Sequence, residues 1–135
     1  MSAAFDDEQR AFLASARRSF LFANRRDGSP TGWPMTPLWR DDDAVYCNTY
    51  RRSAKAALLE RDPRVGMLVV HDERALALTG DAQLLTADDV APMIDQMVRR
   101  DDFLTTAEVE RVTRRLREGK RCVFRIAPRT VRWER

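Results

Sequence analysis

Apolar residues recur along the chain in two periods, and the switches between them mark the elements. From about Asp6 to Arg17, Phe12, Leu13 and Ala16 share one face at helical spacing, with Asp6 or Asp7 as cap. Ser19 to Asn24 (SFLFAN) reads as a buried strand, and Asp27-Gly28-Ser29-Pro30 as a turn. Pro34 to Trp39 (PMTPLW) is extended, but its prolines lack backbone donors, so it cannot be a fully paired central strand. Asp41 to Asp43 turn the chain into a strand at Ala44 to Thr49 (AVYCNT).

Ser53 to Glu60 (SAKAALLE) is a short helix that starts at Ser53 and is stopped by Asp62-Pro63. Val65 to Val70 (VGMLVV) is a buried strand. Ala75 to Leu85 is a long strand with Gly80 near its middle, a position that suits a bulge or a close backbone approach. Asp88 to Arg99 and about Ala107 to Arg117 are helical by period. Arg121 to Ile126 and Thr130 to Trp133 close the chain as strands around a turn at Pro128. A doubly wound parallel sheet needs helical crossovers between neighbouring strands, and most strands here are joined by short connections. The pattern predicts a mainly β fold, an antiparallel barrel with flanking helices.

Composition narrows the class. With 135 residues, 44% of them hydrophobic and 33% charged, the chain is expected to be a single domain, 1–135. The acidic start MSAAFDDEQR predicts no secretory signal, and no apolar run is long enough for a bilayer. The two cysteines, Cys47 and Cys122, lie in apolar strands and read as reduced core thiols of a cytoplasmic protein. Net charge is +3, and nearly all the cations are arginine, interleaved with acids. The run Arg111, Arg114, Arg115 and Arg117 reads as a solvated face, and nucleic acid is not expected as a partner. Such a partner would need exposed aromatics among the cations, and AVYCNT offers only Tyr46. Trp33 and Trp39 read as barrel wall, and Met93 and Met97, at i and i+4, as core or dimer contacts.

The chemistry-bearing motifs are mostly absent. No GxGxxG and no Walker-type loop occurs, and His71 is the only histidine, so no metal site is expected. No acid, base or nucleophile stands out, and no catalytic residue is assigned. Such a chain either is not an enzyme or borrows its reactive atom from a redox cofactor.

One stretch is suited to that. Asn48-Thr49 ends a strand and Ser53 starts a helix, whose N-terminus offers free N–H groups and a positive dipole end. Ser53 adds a hydroxyl, and Arg51, Arg52 and Lys55 add cations, so a phosphate would be well met there. An ordinary capped helix with solvated arginines has the same features.

Taken in order, several pieces of the sequence resemble a known family. They are Gly28-Ser29-Pro30, Pro34 to Trp39, Asp41 to Asp43, Thr49, Ser53-Ala54-Lys55, Asp62-Pro63-Arg64-Val65, Gly80-Asp81-Ala82 and Ala127-Pro128-Arg129 to Trp133. The chain resembles the pyridoxamine 5′-phosphate oxidase-like split-barrel family, which includes deazaflavin-dependent oxidoreductases. That resemblance implies a split β-barrel, a homodimer with cofactor sites at its interface, and FMN or a deazaflavin coenzyme as cofactor. Thr49, Ser53 and Lys55, helped by Arg52, would hold the cofactor phosphate. The backbone of Met35, Thr36 and Pro37 would line the ring with Asn48 beside it, and Arg74 could reach the cofactor. Trp133 would either cover the partner's site or belong to the core. The expected function is a flavin- or deazaflavin-dependent oxidoreductase acting on an unidentified small molecule, and the rival reading is a non-catalytic carrier or sensor of the cofactor. The vitamin-processing oxidases have Arg-Lys after the serine, and cations at both ends of the strand matching Trp33 to Leu38. This chain has Ala54-Lys55 and an apolar strand, which argues against pyridoxamine phosphate oxidation itself.

Overall fold

The structure, a computed structural model, describes residues 4–100 and 104–134. Its elements are α1 (Asp7–Ser15), β1 (Arg18–Asn24), β2 (Pro30–Met35), β3 (Leu38–Arg40), β4 (Ala44–Tyr50), α2 (Ala54–Arg61), β5 (Arg64–His71) and β6 (Arg74–Leu84). They continue with α3 (Ala87–Val90), a 3₁₀ turn (Ala91–Met93), α4 (Ile94–Arg100), α5 (Thr106–Arg117) and β7 (Arg121–Glu134). Asp6 caps α1 in a reciprocal box with Gln9, and Gly28 takes the left-handed φ of 87° that the β1–β2 turn requires.

All seven strands form one antiparallel sheet in the order β2-β1-β5-β6-β7-β4-β3. The proline-bearing segment therefore supplies both edges, β2 and β3, where a missing N–H does no harm. Only Thr36 and Pro37 separate those edges along the chain. Six strand spacings laid flat would cover about 29 Å, whereas the chain from Met35 to Leu38 reaches at most about 11 Å. The sheet must curl until its edges meet, which makes a split barrel.

Two features differ from the sequence reading. The chain makes no turn at Pro128, because β7 runs unbroken from Arg121 to Glu134. Pro128 lies beyond the last residue that β4 pairs, Ile126, so its missing donor faces no partner on that side. A register shift beside Gly80 leaves Arg129 unpaired on β7 and bends the strand there instead. The predicted helix from Asp88 to Arg99 is broken at Pro92 into α3, the 3₁₀ turn and α4.

Alternation along the strands fills the barrel with Leu21, Val45, Cys47, Met67, Val69, Leu76, Leu78, Phe124 and Ile126. Phe12 and Leu13 of α1 and Ala56 and Leu59 of α2 pack into the same core, and Trp33, Trp39 and Trp133 line it. A second core joins the outer face of β3, β4 and β7 to the helices, through Leu38, Tyr46, Val123, Met93, Met97 and Leu116. Neither core reaches the outer face of β1, β5 and β6. There Phe20, Leu68, Val70, Ala75 and Ala77 are half-buried and Phe22 is exposed. Among the described residues no helix is long and apolar enough to cross a membrane.

Candidate functional site

The strand-to-helix corner after β4 is built by the local sequence. The Arg51 N–H donates to the Lys120 carbonyl at 2.9 Å and the Ser53 N–H to that of Tyr50 at 3.1 Å, which pins the turn. Ser53 caps α2, its Oγ accepting from the Ala56 N–H at 3.1 Å. The N–H groups of Ala54 and Lys55 are left over by the helical ladder and face outward from its end. Arg51 is neutralised by Glu60, at 2.7 and 3.2 Å. Among the described residues neither Arg52 nor Lys55 has a carboxylate partner. The corner therefore combines two unpartnered cations, a hydroxyl and free backbone donors.

Thr49 and Asn48 point to opposite faces of β4. Thr49 is buried on the barrel side with Cys47. Burial pushes the Cys47 thiol up to about 12, Cys122 adds to this, and the charge of Lys55 opposes it. Both cysteines are free thiols. Asn48 faces outward, and its Oδ1 accepts from Arg121 Nη1 at 2.8 Å. Arg121 lies 4.2 Å over the Tyr50 ring, whose hydroxyl accepts from Arg115 at 2.9 Å. Tyr46, the aromatic that a nucleic-acid reading would need exposed, is buried.

The Met35-Thr36-Pro37 link is held from behind. Ser19 Oγ donates to the Met35 carbonyl at 2.9 Å, and Arg100 Nε donates to the Pro37 carbonyl at 3.3 Å. Arg100 also donates to the carbonyls of Leu13 at 3.2 Å, Ala14 at 2.7 Å and Ala16, so one guanidinium ties the end of α1 to the link. The register Leu38↔Tyr46 continued past β3 sets Thr36 opposite Asn48, so the link runs toward the free edge of β4. Beside it opens a cleft of about 550 Å³ lined by Arg17, Arg18, Ser19, Phe20, Pro34, Met35, Thr36 and Arg100. The sequence reading missed Arg100 and the Arg17–Phe20 wall. The first makes contacts across more than sixty positions, and the second is an ordinary strand start by pattern.

Arg74 stands apart from the corner. It pairs with Glu8 at 2.7 Å and lies over the rings of Trp133 and Phe12. It begins β6, whose other end, Leu84, pairs with Phe124 near the start of β7. The corner at Lys120 and Arg121 is therefore about 30 Å of strand away. Arg74 lies at the end of the sheet that carries Met35, through the row Met35, Ser19, Val69 and Leu76. His71 sits at the end of β5 against Asp72 and Phe12. Among the described residues no group of three or more metal-ligating side chains occurs.

The fold recurs in solved structures. The conserved hypothetical protein Rv2991 from Mycobacterium tuberculosis superposes with a TM-score of 0.80 at 24% identity, over 98% of this chain and 85% of its own. A protein named F420 reductase superposes at 0.74 and 17% identity, over 95% and 98%. HutZ, the heme storage protein from Vibrio cholerae, superposes at 0.74 and 16% identity, over 96% and 94%. No curated protein matches the sequence. Residues 5–133, nearly the whole chain, match the sequence profile of the pyridoxamine 5′-phosphate oxidase family, and the chain belongs to that family.

Proposed function

We propose that this protein is a flavin- or deazaflavin-dependent oxidoreductase acting on a small molecule, with FMN or a deazaflavin coenzyme as its cofactor. The observation that carries this reading is the corner at Ser53. Its donors and unpaired cations, Lys55 and Arg52, fit a phosphate group, and no carboxylate competes for them among the described residues. Thr49, buried at the end of β4, would support the phosphate from below. The backbone of Met35, Thr36 and Pro37, fixed by Ser19 and Arg100, would carry the planar ring, with Asn48 at its side. Arg74 would meet the cofactor only from the cleft end of the sheet. Bound there, the ring supplies the hydride or electron transfer. The protein orients it, excludes water and offers N–H groups near Thr36 to negative charge on the reduced ring.

The working unit in this reading is a homodimer in the cytoplasm, where Cys47 and Cys122 stay reduced. The uncovered outer face of β2, β1, β5 and β6 suits a second copy. Phe22 is exposed on it, its ring folded over its cross-strand neighbour Gly32. The face is about 19 Å wide and about 25 Å long, on the order of 500 Å² per copy, near the lower bound for a specific interface.

A carrier that only holds the cofactor is the second reading. It is favoured by the lack of any histidine or acid on the ring link, and the neighbours named for F420 reduction and heme storage suit one reading each. Titrating the purified protein with FMN and with a deazaflavin coenzyme, followed by absorbance, tests the cofactor. Reduced cofactor reoxidised by a trial acceptor favours the enzyme, and a bound ring inert to every donor and acceptor favours the carrier. Absence of binding by either compound rejects both.

A further inference from the structure

The cleft beside Met35 and Thr36 has a lopsided chemistry. Phe20, Pro34 and Met35 give it an apolar lining, and Arg17, Arg18 and Arg100 line it as well. No acidic residue lines it among the described residues. Several carbonyls near it are already engaged: that of Met35 by Ser19, and those of Leu13, Ala14, Ala16 and Pro37 by Arg100. The Arg17 side chain donates to the carbonyls of Ala14 and Ser15, and the Arg18 side chain makes no hydrogen bond or ion pair among the described residues. Both guanidiniums therefore keep their full charge beside the apolar lining. Among the described residues a cation there would meet no carboxylate, and a neutral molecule would leave the Arg17 and Arg18 charges unanswered. A largely apolar body with one negative group would satisfy both parts of the lining.

We infer that this cleft takes a largely apolar ligand carrying one carboxylate or phosphate, held by Arg17 and Arg18, and that this is the substrate class of the proposed reaction. The inference rests on the oxidoreductase reading for the word substrate, but the anion preference of the cleft stands without it.

The test compares 2-naphthoate, 2-naphthyl phosphate and the neutral 2-naphthamide by calorimetry, on the protein with and without bound cofactor. Both anions bind at least about ten-fold tighter than the amide, the scale of one charge-assisted hydrogen bond. Raising the salt concentration narrows that gap in the unmodified protein. The Arg17→Gln/Arg18→Gln double variant closes it to within about three-fold while leaving the amide affinity in place. Equal binding of amide and naphthoate, or a gap that persists in the double variant, overturns the inference. So does a double variant that loses preference for FMN over riboflavin, since the anion met by the cleft would then be the cofactor's own phosphate. Failure of the cofactor titration with the anion preference intact would instead overturn only the redox reading.

Discussion

The guanidinium of Arg74 lies 4.0 Å above the indole ring of Trp133. Glu8 fixes its other side at 2.7 Å, and the Phe12 ring stands edge-on to the same indole with centroids 5.1 Å apart. This stack ties the start of α1 to the end of β7. Side-chain exposure of Arg74 is 48%, so its ion pair is screened and the ring contact is only partly desolvated. Arg74→Ala is expected to lower stability by about 1 kcal/mol, read as a shifted denaturant midpoint with a changed Trp133 emission. Preference for FMN over riboflavin should not move, because the stack and the Ser53 corner lie at opposite ends of β6.

Lys55 has the opposite signature. It is half-buried at the first turn of α2, beside the corner proposed for the phosphate, and has no ion-pair partner among the described residues. Lys55→Ala should weaken FMN binding by about 1.5–3 kcal/mol, as for one hydrogen bond to a charged group, and leave riboflavin binding unchanged. The same FMN affinity in a folded variant would remove Lys55 from the site.

What the sequence made legible was local. Ser53 as a cap, the prolines at sheet edges and the close approach at Gly80 each follow from one residue's backbone chemistry, and all three hold. Chain order and connection length were enough for the antiparallel barrel. What was not legible depends on partners far along the chain. Pro128 reads as a turn from its neighbours, yet it is carried inside β7 because β4 stops pairing two residues earlier and a bulge at Arg129 takes up the bend. Arg100 looks like any basic helix end, but its carbonyl partners at Leu13 and Pro37 lie 87 and 63 positions away. The separation of Arg74 from the corner likewise appears only once the register of β6 and β7 is known.

Gly80 tests the tightest point of the barrel wall. A Cβ there would sit 2.4 Å from the Ala127 carbonyl oxygen and 3.2 Å from Ile126 Cγ2. The first is backbone in a paired strand, so it cannot swing aside as a side chain could. Gly80→Ala should therefore cost about 2–3 kcal/mol, in the range of core overpacking, and loosen the bulge. Native-state hydrogen exchange should show faster exchange at Ala127 to Thr130. A variant as stable as the parent would mean that β7 can slide there freely.

Cys47 supplies a pH prediction whose sign follows from burial. The thiol is enclosed in the barrel core, and burial disfavours its thiolate, raising its folded value to about 12 from the ~8.5 of an unfolded chain. Folding therefore favours the protonated form. Its contribution to stability is complete below about pH 8.5 and is lost as pH climbs toward 12, because the unfolded chain releases its proton first. Other groups titrate in that window, so the comparison is with Cys47→Ala, which has no thiol to release. Between about pH 9 and 11 the parent's stability should fall more steeply than the variant's, by up to about one proton per molecule. The same burial predicts that at pH 8 a thiol reagent modifies Cys47 only after denaturant opens the barrel. Rapid labelling of Cys47 in the native protein, with parallel stability curves for parent and variant, would show that β4 opens readily at this point.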